Sequence, residues 1–217
     1  MISKSIYFAG ELFDLKHLTG NAMLADAIGS LSQGRYHCVL PQLLEQSAER
    51  SEDIRNNDLK QVHDCDLALF NFDGTELDSG TVVEFMYAKF LDKPSVILRS
   101  DFRLGGDQRF GEPWNLMCSF YPRTEVVLMN SMQNYQLAMH GQGSLAKKLQ
   151  HYHAGIAQHV IDAFDSVCAQ PSLMDEPGVD KSQIYHWAKI FAGKGYQQLF
   201  KAKGQNALDN EQLNISG

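Results

Sequence analysis

The chain contains no apolar run approaching the roughly 18 residues of a membrane span, so no membrane partner is expected. No signal-peptide h-region precedes the first apparent strand: Met1-Ile2-Ser3-Lys4 leads directly into Ser5-Ile6-Tyr7-Phe8-Ala9. The four cysteines (Cys38, Cys65, Cys118 and Cys168) offer no C-x-x-C spacing. That removes disulfide and zinc frameworks and predicts a reducing cytoplasm. No Lys/Arg cluster offsets the formal net charge of −7, which argues against a nucleic-acid polymer as partner. The G-x-x-x-x-G-K-[ST] of an NTPase is missing, and Ser79 lacks the G-x-S-x-G context of a hydrolase elbow. No internal repeat or low-complexity run is present. His151, His153 and His159 have no carboxylate to complete a metal site, so they read as a solvated helix face and no cofactor is expected.

What remains is an ordinary globular composition, 44% hydrophobic and 21% charged over 217 residues. It suits one domain with a sizeable core. The chain is organised around Leu67 to Leu98, where an apolar run gives way to a Gly- and Asp-rich turn, an amphipathic helix and a second apolar run. That order describes a parallel strand–loop–helix–strand unit. Ligands in such sheets bind beyond the carboxyl ends of the strands, which places Asp73 to Thr81 at the expected site.

Strands are predicted at Ile6–Ala9, His37–Leu40, Leu67–Phe70, Ser95–Leu98 and Glu125–Leu128. Helices are predicted between Leu15 and Leu31, over Asp53–His63, Thr81–Leu91 and Ser144–Ala169, and over Lys181–Phe200 with a break at Gly193-Lys194-Gly195. Gln42 to Ser51 reads as irregular, Ser100 to Glu112 as a functional loop or lid, and the end from Gly204 as frayed. The alternation predicts a three-layer α/β sandwich with a parallel, flavodoxin/Rossmann-like sheet of about five strands. The expected division is an α/β domain over residues 1–170 and a helical extension over 171–217.

Glu84 has two readings. Thr81-Val82-Val83-Glu84 fits a capping box, in which both side chains serve the helix start; Asp78 or Ser79 would cap equally well. The alternative is chemical. A carboxylate one turn into a helix, at the carboxyl end of a parallel sheet, is placed as a nucleophile, and the helix dipole would keep it ionised. Asp78 in the same loop and Asp58 on the preceding helix would converge on it, and paired carboxylates in different environments break glycosidic bonds.

Here the residues carry a resemblance. The chain resembles the nucleoside 2-deoxyribosyltransferase family in a set of short motifs over roughly the first 120 to 130 positions. They are Ile6-Tyr7-Phe8-Ala9-Gly10 with Leu12-Phe13, Asp53-Ile54-Arg55, Asn57-Asp58-Leu59 and Asp64-Cys65-Asp66. After these come Asp78-Ser79-Gly80-Thr81 with Glu84 and Ala88, then Lys93-Pro94, Asp101 with Arg103, and Gly111 to Met117. The resemblance implies a retaining base exchange between a deoxynucleoside and a free nucleobase. Glu84 would attack the anomeric carbon, and Asp78 and Asp58 would hold the base or a sugar hydroxyl. One of those aspartates would supply the proton, and the spacing leaves open which. Tyr7 would stand beside the nucleophile, although a β-propensity residue on a half-buried strand needs no such role. Gly10, Phe13 and Gly80 would line the substrate. Asn115 would reach a neighbouring subunit's site in a homo-oligomer, or simply cap Leu116-Met117-Cys118.

Two positions and the chain's length depart from the family pattern. Met86 stands where glycine is usual, which enlarges that helix face. Glu11 follows Gly10 where proline is common, and an acid there argues against a phosphate at that turn. The chain also continues for tens of residues past the sheet, as a dimerisation arm, a lid or outer packing. Transfer of 2-deoxyribose is therefore the leading expectation. Hydrolysis of deoxynucleosides or their 5′-monophosphates, and a non-catalytic nucleotide-binding module, are the alternatives.

Overall fold

The computed structural model describes residues 3–44, 50–103, 111 and 113–201. Five short apolar runs form one parallel sheet: β1 (Lys4–Ala9), β2 (Tyr36–Val39), β3 (Leu67–Asn71), β4 (Ser95–Arg99) and β5 (Thr124–Leu128). Their order is β2-β1-β3-β4-β5, parallel throughout. That is the flavodoxin-like order, whose topological switch lies between β1 and β3. β4 is buried along its whole length and β3 up to its last residue, as continuous apolar strands of a doubly covered sheet should be.

Side-chain alternation along β1 divides the core. Ile6 and Phe8 join one apolar cluster with α1 (Leu15–Leu31) and α5 (Leu145–Cys168). Tyr7 and Ala9 join the other, with α2 (Ser51–Asp64) and α3 (Ser79–Phe90). The three-layer α/β sandwich is thus present, and Tyr7 faces the α2/α3 side.

Several elements differ from the sequence reading. α2 starts at Ser51 rather than Asp53, with Arg50 pairing to Asp53 at 2.8 Å. Pro41–Leu43 forms a 3-10 turn, and residues 45–49 of the expected irregular stretch lie outside the described residues. An unanticipated helix, α4 (Ser131–His140), is capped by Asn130, which accepts from the Gln133 amide at 3.0 Å. Its Leu137 and Met132 are largely exposed, so it carries too little apolar periodicity to be read from sequence. The centre of the expected lid (104–110) and the tail beyond 201 lie outside the described residues. The start of the lid is anchored: Asp73 accepts from the Ser100 amide at 2.6 Å, the Ser100 hydroxyl at 2.7 Å and the Asp101 amide at 2.8 Å.

The extension packs on the outside of α2 and α3. Its first residues are tied down by Asp92, whose Oδ2 accepts from Arg123 (2.6 Å), the Ser172 hydroxyl (2.7 Å) and the Leu173 amide (2.9 Å). α6 (Lys181–Ala188) and a final helical stretch, residues 194–201, follow it. Ala188 and Tyr196 are fully buried in the same cluster as Tyr7. The Tyr87 hydroxyl donates to Ala188 O and lies 2.9 Å from the Tyr196 hydroxyl. Met86 lines the apolar groove between α3 and this layer, beside Trp187 and Phe191, so the thioether that departs from the family pattern borders the extension.

Candidate active site

The site begins at the turn after β3. Asp78 is the N-cap of α3, its Oδ2 accepting from the Thr81 amide at 2.8 Å and the Thr81 hydroxyl at 2.9 Å. The helix therefore starts two residues before Thr81, and the capping-box reading of Glu84 does not hold. Glu84 is the sixth helical residue, too far along to reach back to the cap. It also lies beyond the first turn, where the dipole's influence has faded, so the expected dipole contribution is replaced by a specific donor. Thr81, Phe85 and Ala88 face the core, and Glu84 sits at the edge of that face, towards α2.

That donor is Tyr7. Its side chain is fully buried, and its hydroxyl donates to Glu84 Oε1 at 2.6 Å. Burial, followed by the neighbouring carboxyl groups of Glu84 and Asp58, raises the phenol well above its usual pKa. Tyr7 therefore keeps its proton, and the hydrogen bond runs to the carboxylate.

In front of Glu84 lies a cleft of about 490 Å³ between α2 and α3, which also takes in Asp58, Arg55, Gly80 and Val83. A second cleft, of about 670 Å³, runs from the Gly74–Leu77 turn to Trp114, Asn115 and Met117. Ser79 and Val83 line both. Glu84, Tyr7, Asp58 and Gly80 are thus brought together. Asp78 is occupied as the cap and lines neither cleft. Gly10 serves chain approach: a Cβ there would come within 3.0 Å of Asn71 Cβ at the switch point. Phe13 is 77% exposed and lines neither cleft. Asn115 caps the 3-10 turn Leu116–Cys118, accepting from the Met117 amide at 3.0 Å, and faces the larger cleft.

Arg55, Ile54 and Val83 also line the Glu84 cleft, and the sequence analysis gave them no role there. Spacing alone pointed to the first two: Ser51, Ile54, Arg55 and Asp58 fall on one helical face. Among the described residues no three His, Cys, Asp or Glu side chains converge on a metal position. No helix among them is long and apolar enough to cross a membrane.

The family model for nucleoside 2-deoxyribosyltransferase matches residues 6–117, just over half of the chain. The chain belongs to that family. The match spans β1 to the Asn115 turn and so contains the whole Tyr7–Asp58–Glu84 constellation. The family acts on the N-glycosidic bond of nucleosides, and this chain is an enzyme of that class. Three solved structures are similar to this chain. A 2-desoxiribosyltransferase from Leishmania mexicana is 24% identical, with 56% of this chain and 89% of that one covered at a TM-score of 0.46. A conserved protein from Enterococcus faecalis V583 is 20% identical, with 76% and 99% covered at 0.47. A 2-deoxyribosyltransferase from Bacillus psychrosaccharolyticus is 15% identical, with 66% and 95% covered at 0.46. No curated protein matches the chain.

Proposed function

We propose that this deoxyribosyltransferase-family chain moves 2-deoxyribose between nucleobases, with Glu84 as the nucleophile. The observation that carries the reading is the buried Tyr7 hydroxyl, 2.6 Å from Glu84 Oε1 at the mouth of a cleft shared with Asp58. A fixed carboxylate can stabilise an oxocarbenium-like centre and then bond to it. A Glu84 oxygen bonds to C1′ while the C1′–N bond breaks, its electron pair leaving with the base. Asp58, in its protonated form, gives its proton to the departing nitrogen. The incoming base then attacks C1′, the ester C–O bond breaks with its electrons returning to Glu84, and the base's proton passes to Asp58. Two inversions give net retention.

Asp58 is assigned the proton because it shares the cleft wall with Glu84, whereas Asp78 Oδ2 is held by Thr81. Asn115 is read as reaching a neighbouring copy's sugar in a homo-oligomer. Exposed Met117 (68%) and Phe120 (86%) beside it support that interface. The four cysteines are free thiols, which favours a reducing compartment such as the cytoplasm. Residues 1–170 are read as the catalytic unit, and the described part of the 171–217 extension as its outer brace.

The test is incubation with a deoxynucleoside, with and without a free acceptor base, followed by chromatography. New nucleoside supports transfer, free sugar alone points to hydrolysis, and no product at all speaks for a binding module.

A further inference from the structure

Among the described residues, Arg55 is the only cation lining the Glu84 cleft. Two carboxylates share that cleft, yet the hydrogen bonds of Arg55 go to neutral acceptors. Nε and Nη2 donate to Asn56 Oδ1 at 3.1 and 2.7 Å, and Nη2 donates to Ala192 O at 3.2 Å. Among the described residues Nη1 has no hydrogen-bond partner. Asn56 is itself buried, so the guanidinium is anchored on its outer side while its edge borders the cleft.

The second anchor, Ala192 O, comes from the extension, whose Gly195 packs closely on α2. A Cβ there would lie 2.6 Å from Glu52 Oε1 and 3.3 Å from Asn56 Nδ2. The part of the extension around Ala192, which lies outside the family match, thus forms a clasp on one cleft-lining arginine.

A guanidinium held through Nε and Nη2 leaves Nη1 and its permanent, delocalised charge for an oxyanion. An anionic substituent on a sugar seated at Glu84 must lie away from Glu84 and Asp58. Arg55 stands three residues before Asp58, about 4.5 Å of helix rise. Resting on the reading of this cleft as the nucleoside site, we propose that Arg55 recognises an oxyanion, phosphate or carboxylate, carried by the substrate. Residues 181–201 hold it in place to do so.

Equilibrium titration calorimetry of the full chain tests this without turnover. The ligands are 2′-deoxycytidine and 2′-deoxyadenosine, their 5′-monophosphates, and 5-carboxy-2′-deoxycytidine. One charged class binds at least tenfold more tightly than its uncharged parent. A phosphate advantage identifies the sugar's 5′ end as the source, and a carboxylate advantage the base. The ratio falls to near one in Arg55→Met and to an intermediate value in Arg55→Lys, which keeps charge without the anchored guanidinium. It also falls in Gly195→Leu, which disturbs the clasp. Equal binding of charged and parent ligands overturns the proposal, as does an advantage that survives in Arg55→Met. An advantage lost in Arg55→Met but kept in folded Gly195→Leu overturns the clasp. Because binding is read directly, failed recognition leaves deoxyribosyl transfer standing, and absent transfer leaves the recognition result standing.

Discussion

The hydroxyl of Tyr7, on the first strand, donates to Glu84 Oε1 across 77 residues of sequence at 2.6 Å. Hydrogen bonds to charged groups contribute about 1.5–3 kcal/mol, which is roughly 10- to 100-fold in rate if the bond is needed in the transition state. Tyr7→Phe is expected to lower kcat/KM by that factor with little loss of fold. Steady-state kinetics beside a thermal melt measures both. A Phe variant with unchanged kinetics would remove Tyr7 from the mechanism.

Asp58 and Asp78 are separable by what their loss damages. Asp78→Ala removes the α3 cap and is expected to cost about 1 kcal/mol, within the 0.5–2 kcal/mol seen for such caps. Asp78→Asn should restore most of it, since an amide oxygen also accepts from Thr81. Urea unfolding checks the pair.

Asp58→Asn should leave stability nearly intact and lower kcat by roughly 10²–10⁴, the range of general-acid catalysis. The loss should be largest for bases that leave poorly. Equal losses for good and poor leaving bases would take the proton transfer away from Asp58.

A pH signature of stability comes from Asp165 on α5. Arg35 donates to both its oxygens at 2.7 and 3.1 Å, and the Tyr36 hydroxyl donates at 2.6 Å. The Arg35 hydrogen bond leads in holding this carboxyl below its usual pKa. Its contribution is therefore complete above the ordinary aspartate range and disappears as pH falls through the lowered folded value. Both side chains are about 40% exposed, so screening limits the pair to about 1 kcal/mol. Asp165→Asn should be less stable by that amount at neutral pH, and the gap should narrow below about pH 4. Denaturant titrations at several pH values would reveal a gap that failed to close.

The sheet was legible because β3 and β4 are apolar runs buried on both faces, punctuated by the Gly- and Asp-rich turn. The triad of Tyr7, Asp58 and Glu84 was legible as residues but not as geometry. Asp78 and Thr81 are both acceptable caps, and which one starts α3 decides whether Glu84 is a capping partner. The helix begins at Ser79 because Asp78 takes both Thr81 donors, a choice between neighbouring local caps that spacing alone does not make. Arg55 stood in a quoted motif without a role, because its anchor, Ala192, lies 137 residues away. The extension's place on α2 and α3 depends on the Tyr87–Tyr196 contact and on Gly195, none of which has a local signature.

The account turns on a covalent ester at one carboxylate. Rapid acid quench of the enzyme with excess deoxynucleoside, then proteolysis and mass spectrometry, looks for it directly. The expected result is one deoxyribosyl group on the peptide containing Glu84, discharged by adding a free base and lacking in Glu84→Gln. A deoxyribosyl group on a different residue, or a Glu84→Gln enzyme that still exchanges bases at near-normal rate, would contradict it.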